Sequence, residues 1–221
     1  MAILSVDNVS KKVKNYTILN KINLHIEEPG IYGIVGRNGS GKSILFKTIA
    51  GLMLASSGTV HVFDEEVGKN AFPKHFGALL DQGGFLPTYS SFKNLKYLAS
   101  IQNKIDDARI LEVIELVGLD PTDPRPISKY SLGMKQRLGI AQAIMEKPKL
   151  LLLDEPMNGL DEDGVKDMRI LFQKLSNEGV TILLSSHNAE DIKHLCSVVY
   201  RMNNGELSLI QEENKELLLS H

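Results

Sequence analysis

The stretch IYGIVGRNGSGKS, residues 31–43, is an apolar run that breaks into glycines and ends on an ammonium and a hydroxyl. Ile31-Tyr32-Gly33-Ile34-Val35 has the length and continuous apolar character of a buried strand. Gly36, Arg37, Asn38, Gly39, Ser40, Gly41, Lys42 and Ser43 then match G-x-x-x-x-G-K-[ST] at every fixed position. The pattern that follows is helical, over about 42–50, so the loop joins a strand to a helix N-terminus. Glycines let backbone N–H groups curl around phosphate oxygens, and the helix start adds its partial positive charge. Lys42 is placed to reach the β- and γ-phosphates, and Ser43 to offer its hydroxyl to Mg²⁺. A chance glycine-rich turn does not account for the full motif between a strand and a helix.

A second apolar run, Leu150-Leu151-Leu152-Leu153, ends in Asp154-Glu155-Pro156. A buried strand delivers those carboxylates to its C-terminal edge, where parallel sheets bind ligands. Neighbouring strand residues point opposite ways, so the two acids are assigned different work. Asp154 is the candidate for the Mg²⁺ shell, and Glu155 for polarising an attacking water.

Further strands read at 22–26, 59–63, 76–80 and 180–184, and a helix at about 161–175. Residues 91–145 carry helical patterning, with Phe92, Leu95, Leu98 and Ile101 three apart, and a loop over 120–126 marked by its prolines. Asn204-Gly205 between two apolar runs predicts a terminal hairpin. Strands separated by helices imply a mostly parallel sheet. The expected organisation is α/β: one domain over 1–221, with a helical subdomain at about 88–147 inserted in the core.

The bulk numbers narrow the function. A formal net charge of −2 gives no field to attract nucleic acid or an anionic membrane. The lone Cys196 excludes an internal disulfide and reads as a small buried hydrophobe. No apolar run approaches the ~20 residues of a membrane-spanning helix, and the start of the chain has no secretory pattern, so it reads as soluble by itself.

Several further motifs, in order along the chain, resemble those of ABC transporter ATP-binding subunits. The resemblance covers about residues 9–210. Gln82 matches the family's Q-loop glutamine. Residues 130–137, Tyr-Ser-Leu-Gly-Met-Lys-Gln-Arg, match the signature motif usually written LSGGQ. Asn158-Gly159-Leu160-Asp161 matches the D-loop, and His187 the switch histidine. The resemblance implies a P-loop NTPase core with an N-terminal antiparallel β part and the helical insert. It implies two chains, copies or paralogues, paired head-to-tail around two ATP, each held between one chain's phosphate loop and the other's signature motif. Ser131 is a good N-cap for the helix that follows, and its hydroxyl and the backbone at Gly133 are then phosphate contacts. His187 becomes a γ-phosphate contact, and Gln82 a ligand of Mg²⁺ and water. An integral membrane permease is the implied partner, coupled through residues 82–89, which places the chain at the cytoplasmic face of the cell membrane. The wording of residues 77–87 and of the signature motif resembles the drug- and bacteriocin-immunity-type exporters.

The chain departs from the family at points that bear on the site. Met134 stands where a glutamine is usual. Met157 stands where a threonine is common. The usual adenine-stacking aromatic falls on Val13, with Tyr16 three residues later, and the sequence leaves open which of them meets adenine. The tail over 211–221 reads as a short helix. Two rival readings remain. A soluble ABC ATPase acting on DNA or ribosomes lacks support, since coiled-coil insertions, zinc modules and a second ATPase domain are missing here. A regulatory module without turnover does not explain the presence of both Glu155 and His187.

Overall fold

The computed structural model describes residues 2–68, 72–80 and 84–211. Gln82 and residues 212–221 therefore lie outside the described residues, with the expectations placed on them.

Strands β1 (Leu4–Val13), β2 (Tyr16–Ile26), β4 (Ser57–Val62) and β5 (Glu65–Glu66) form an antiparallel sheet in the order β2-β1-β4-β5. A second sheet contains β3 (Ile31–Val35), β6 (Phe76–Leu79), β7 (Leu150–Asp154), β8 (Thr181–Ser185), β9 (Val198–Asn203) and β10 (Glu206–Leu209). Its order is β10-β9-β3-β8-β7-β6, and all neighbours are parallel except the β9–β10 hairpin. Helix α1 (Lys42–Ile49) follows β3. Helices α2 (Ser91–Gln102), α3 (Asp107–Leu116) and α4 (Leu132–Ile144) lie between β6 and β7, α5 (Glu162–Asn177) follows β7, and α6 (Ala189–Leu195) follows β8.

The four leucines of β7 show why its sequence is apolar without alternation. Leu151 and Leu153 enter a core shared with α3, α4 and α5, whereas Leu150 and Leu152 enter the core shared with α1 and the antiparallel sheet. A strand covered on both faces has no solvent side to mark with polar residues.

Strand β1 is missed by periodicity, and the cause is visible. Its pairing slips at several points and Asn8 takes a left-handed φ of 48°, so buried and exposed positions lose their alternation. The α2 face also differs from expectation. Leu95 is fully buried, but Ile101 is 73% exposed. A spacing of three falls short of a helical turn by about 60° per step, so nine residues carry Ile101 to the side opposite Phe92. Cys196 is buried, as a small core residue. Among the described residues no helix is long and apolar enough to cross a membrane.

Candidate functional site

The phosphate loop leaves the C-terminal end of β3 and enters α1 through Gly41, which has φ of 114°. A residue with a Cβ is strained there, and its Cβ would also press on Leu19 and the Ile18 carbonyl of β2. The loop is braced from a segment distant in sequence. Gly205 N–H, in the β9–β10 turn, donates to Ser40 O at 2.9 Å, and Asn20 N–H of β2 donates to Gly205 O at 2.7 Å.

Lys42 is 6% exposed, and its Nζ donates to Gly36 O at 2.7 Å and Arg37 O at 3.5 Å. Among the described residues it has no carboxylate partner. A buried ammonium solvated only by carbonyls retains much of its desolvation cost, so the loop is built for an anion. Among the described residues Ser40 Oγ, also buried, has no hydrogen-bond partner, and Arg37, Asn38, Gly39 and Ser43 are exposed. The Lys42→Ala variant is expected to lose nucleotide affinity by about 10- to 100-fold, the worth of a charged hydrogen bond. Its melting temperature should not fall, because the substitution removes a buried charge; equilibrium binding and thermal denaturation check the two halves.

Two strand positions away in the sheet, β7 presents the acids. Asp154 Oδ1 accepts from Ser185 Oγ, and the same oxygen of Ser185 accepts Glu155 N–H at 3.0 Å. Ser185 thus fixes both acidic residues from β8. Glu155 has left the strand, with φ of 50°. Its Oε2 accepts the backbone N–H of His187 at 3.2 Å and lies 2.8 Å from His187 Nδ1. A carboxylate can only accept, so Nδ1 carries a proton and Nε2 faces outward. The His187 side chain is 64% exposed, and that of Glu155 19%.

Ser43 and Asp154 supply hard oxygens, the donor chemistry Mg²⁺ takes when one or two protein ligands join substrate phosphates and water.

Ser131 caps α4: its Oγ accepts Met134 N–H at 3.1 Å, which leaves its proton to donate elsewhere. The cap lies beside Gly159, past the end of β7: a Cβ on Gly133 would stand 2.8 Å from the Gly159 carbonyl. It does not join the phosphate loop beyond β3. Strands β8 and β7 intervene between β3 and β6, the strand against which α4 packs, a span of about 14 Å at the ordinary strand spacing. The first-turn N–H groups of α4 are therefore set apart from this chain's own phosphate loop. Met134 is half-buried against the core and acts through packing, and Met157 is buried.

Val13 and Tyr16 are direct cross-strand partners at the tip of the β1–β2 hairpin, 44% and 77% exposed. Directly opposed residues share one face of a sheet, so the two candidates stand side by side. Ser185 and Gly205 carry no motif signal that assigns them to the site; each acts across a long sequence separation. Ser185 could have been found by its place at the end of a buried strand.

The family described as ABC transporter matches residues 19–158. The chain is 42% identical over 206 residues to the uncharacterized ABC transporter ATP-binding protein YybJ of Bacillus subtilis (strain 168), spanning 93% of this chain and 94% of that one. It is 38% identical over 215 residues to the bacitracin transport ATP-binding protein BcrA of Enterococcus faecalis, spanning 96% of this chain and 69% of that one. It is 34% identical over 223 residues to the lantibiotic transport ATP-binding protein SrtF of Streptococcus pyogenes, spanning 99% and 96%. The dimeric post-hydrolysis structure of the ATP-binding cassette MJ0796, bound to ADP and Pi, superposes with a TM-score of 0.84 at 21% identity, over 94% of this chain and 99% of that one; at that identity the likeness concerns the fold.

Proposed function

The chain belongs to the ABC transporter family as an ATP-binding subunit, and from that premise we propose that it hydrolyses ATP as one of two chains closed around two nucleotides. The observation that carries this reading is the separation of the two anion-binding ends. Lys42 and the phosphate loop lie beyond β3, whereas the capped end of α4 is seated on Gly159 beyond β7. A second chain, turned head-to-tail, brings its α4 to this chain's phosphate loop.

Within each site the residues take distinct roles. Gly36 to Ser43 cradle the phosphates, and Lys42 exchanges its carbonyl partners for phosphate oxygens. Ser43, Asp154 and Gln82 would hold Mg²⁺, which would supply positive charge against the phosphates. Glu155 orients the attacking water and takes up its proton. His187 meets the γ-phosphate through Nε2, a contact that needs a proton there. Glu155 accepts from the other ring nitrogen and so fixes the ring. Ser131 and the Gly133 backbone close the site from the partner. Tyr16, with Val13 beside it, forms the adenine platform. Tyr16→Ala is expected to weaken ATP binding about 5- to 100-fold, since stacking on an aromatic is worth ~1–3 kcal/mol; fluorescence titration with an ATP analogue checks it, and unchanged affinity assigns the platform to Val13.

The mechanical output is read as export through a separate membrane permease, in line with the bacitracin and lantibiotic transport relatives. Within the single domain over 1–221, the helical insert at about 88–147 is the docking element, and the chain sits at the cytoplasmic membrane face through it. Leu86, Tyr89, Tyr97 and Ile101 support this: they are large, apolar and exposed near the start of the insert. The 84–90 segment that carries two of them is held in shape by Asn94, whose Nδ2 donates to the carbonyls of Leu86, Tyr89 and Ser90. Mg²⁺-dependent ATPase activity of the purified chain, abolished by chelation, tests the enzymatic half. Recovery of a permease with the tagged chain from detergent-solubilised membranes tests the other.

A further inference from the structure

Gln136 lies in α4, and the site described above makes no use of it. Its side chain is buried. Its Nε2 donates to two successive carbonyls, Glu155 O at 3.2 Å and Pro156 O at 3.0 Å. An amide nitrogen has two protons, so one side chain serves both. Those carbonyls belong to the turn that carries Glu155 out of β7. A non-glycine residue keeps a left-handed φ, here 50°, only where its surroundings hold it there. Among the described residues four contacts hold Glu155: Ser185 on its N–H, His187 on its carboxylate, and, on its carbonyl, Asn158 N–H at 3.2 Å and Gln136. Only the last comes from α4.

Ser131 and Gln136 are five positions apart, about 7.5 Å along the helix. The intervening turn is also pressed against the same segment. A Cβ on Gly159 would meet Leu132, and one on Gly133 would meet Gly159 O. The N-terminal end of α4 and the backbone that aims Glu155 are thus joined through the buried Gln136 side chain and the close packing of Leu132 and Gly133 on Gly159.

We propose that Gln136 is a positioning residue that transmits the engagement of one nucleotide by α4 to the Glu155 carboxylate serving the other nucleotide. The inference rests on the two-chain ATP site proposed above. In that arrangement Ser131 of one chain touches the nucleotide held by its partner, while Glu155 of the same chain faces its own. Movement of α4 toward an anion pulls on the Glu155 and Pro156 carbonyls and resets the carboxylate. Gln136 itself touches no nucleotide.

Two variants test it in the full chain. Gln136→Leu keeps the volume and removes both donors; kcat should fall on the order of tenfold with KM for ATP little changed. The Hill coefficient for ATP should drop to one. Gln136→Glu is nearly isosteric, but ionised it has no proton to give the two carbonyls, and protonated it regains one donor. Its kcat, divided by that of the parent at each pH, should rise as pH falls from about 8 to about 6. A side chain that only fills space produces no such recovery. Light scattering in the Glu155→Gln background separates the two levels. ATP should still drive dimerisation when Gln136→Leu is added. If Glu155→Gln alone fails to dimerise with ATP, the two-chain site falls and the coupling with it. If dimers form but Gln136→Leu keeps the parent's kcat and Hill coefficient, or the Gln136→Glu ratio is flat with pH, the coupling is overturned. Should the Leu variant fail to fold, the pH ratio of the Glu variant decides alone.

Discussion

Glu155→Gln is expected to lower ATP turnover by on the order of 10²–10⁴-fold, the usual scale of general acid–base help, while ATP binding persists and ATP-bound dimers accumulate. Each part has a separate cause. An amide cannot accept the proton of the attacking water, so the chemical step loses its base. The isosteric side chain still accepts from His187 N–H at the position of Oε2, so the loop geometry is retained. Lys42 and the phosphate loop lie off β3 and do not depend on the side chain at 155. With hydrolysis blocked, the closed state has no route to reopen. Steady-state phosphate release and light scattering with and without ATP check both halves. Turnover equal to the parent's would remove Glu155 from its assigned role, and a tight dimer without nucleotide would show that ATP is not what joins the chains.

Ser131→Arg is expected to abolish that ATP-driven dimer while each chain still binds ATP. Ser131 Oγ accepts Met134 N–H at the first turn of α4, and losing such a cap costs about 0.5–2 kcal/mol. That is a modest loss for the fold. The larger effect is at the surface: Ser131 is exposed at the end of the helix, and the long arginine side chain fills the space a phosphate must enter to reach the first-turn N–H groups. The control is Met134→Gln, which restores the family's usual amide. Met134 packs against the core and its thioether is at best a weak acceptor, so hydrolysis should change little. Sedimentation of Glu155→Gln chains carrying each substitution separates the two. A dimer that survives Ser131→Arg would move the phosphate contact away from α4, and a large gain from Met134→Gln would show that the missing amide weakens the site.

Much of the fold was legible because its signals are local. The phosphate loop is one contiguous segment, and its chemistry follows from backbone spacing between a strand and a helix. The β7 run reads as buried because all four leucines are apolar, and the structure places them alternately in two cores. The cap at Ser131 acts within three residues, on Met134 N–H. Where local signals were misleading, the reason is geometric. A spacing of three in α2 drifts around the helix and leaves Ile101 exposed. In β1, slipped pairing erases the alternation that marks a strand.

The sequence by itself determined that the chain has a glycine-rich loop between a strand and a helix, a buried strand ending in two acids, and a helix capped by Ser131. Only the tertiary structure decided which of these meet. Strand order brings Ser185 to Asp154 across 31 positions, Gln136 to the Glu155 turn across 19, and Gly205 to Asn20 and the phosphate loop from the far end of the chain. It also places Val13 beside Tyr16 and holds the α4 cap away from its own phosphate loop. Residue periodicity encodes which face of an element is apolar. It does not encode which element lies next to it, because that depends on how whole sheets and helices pack at distances no local pattern records.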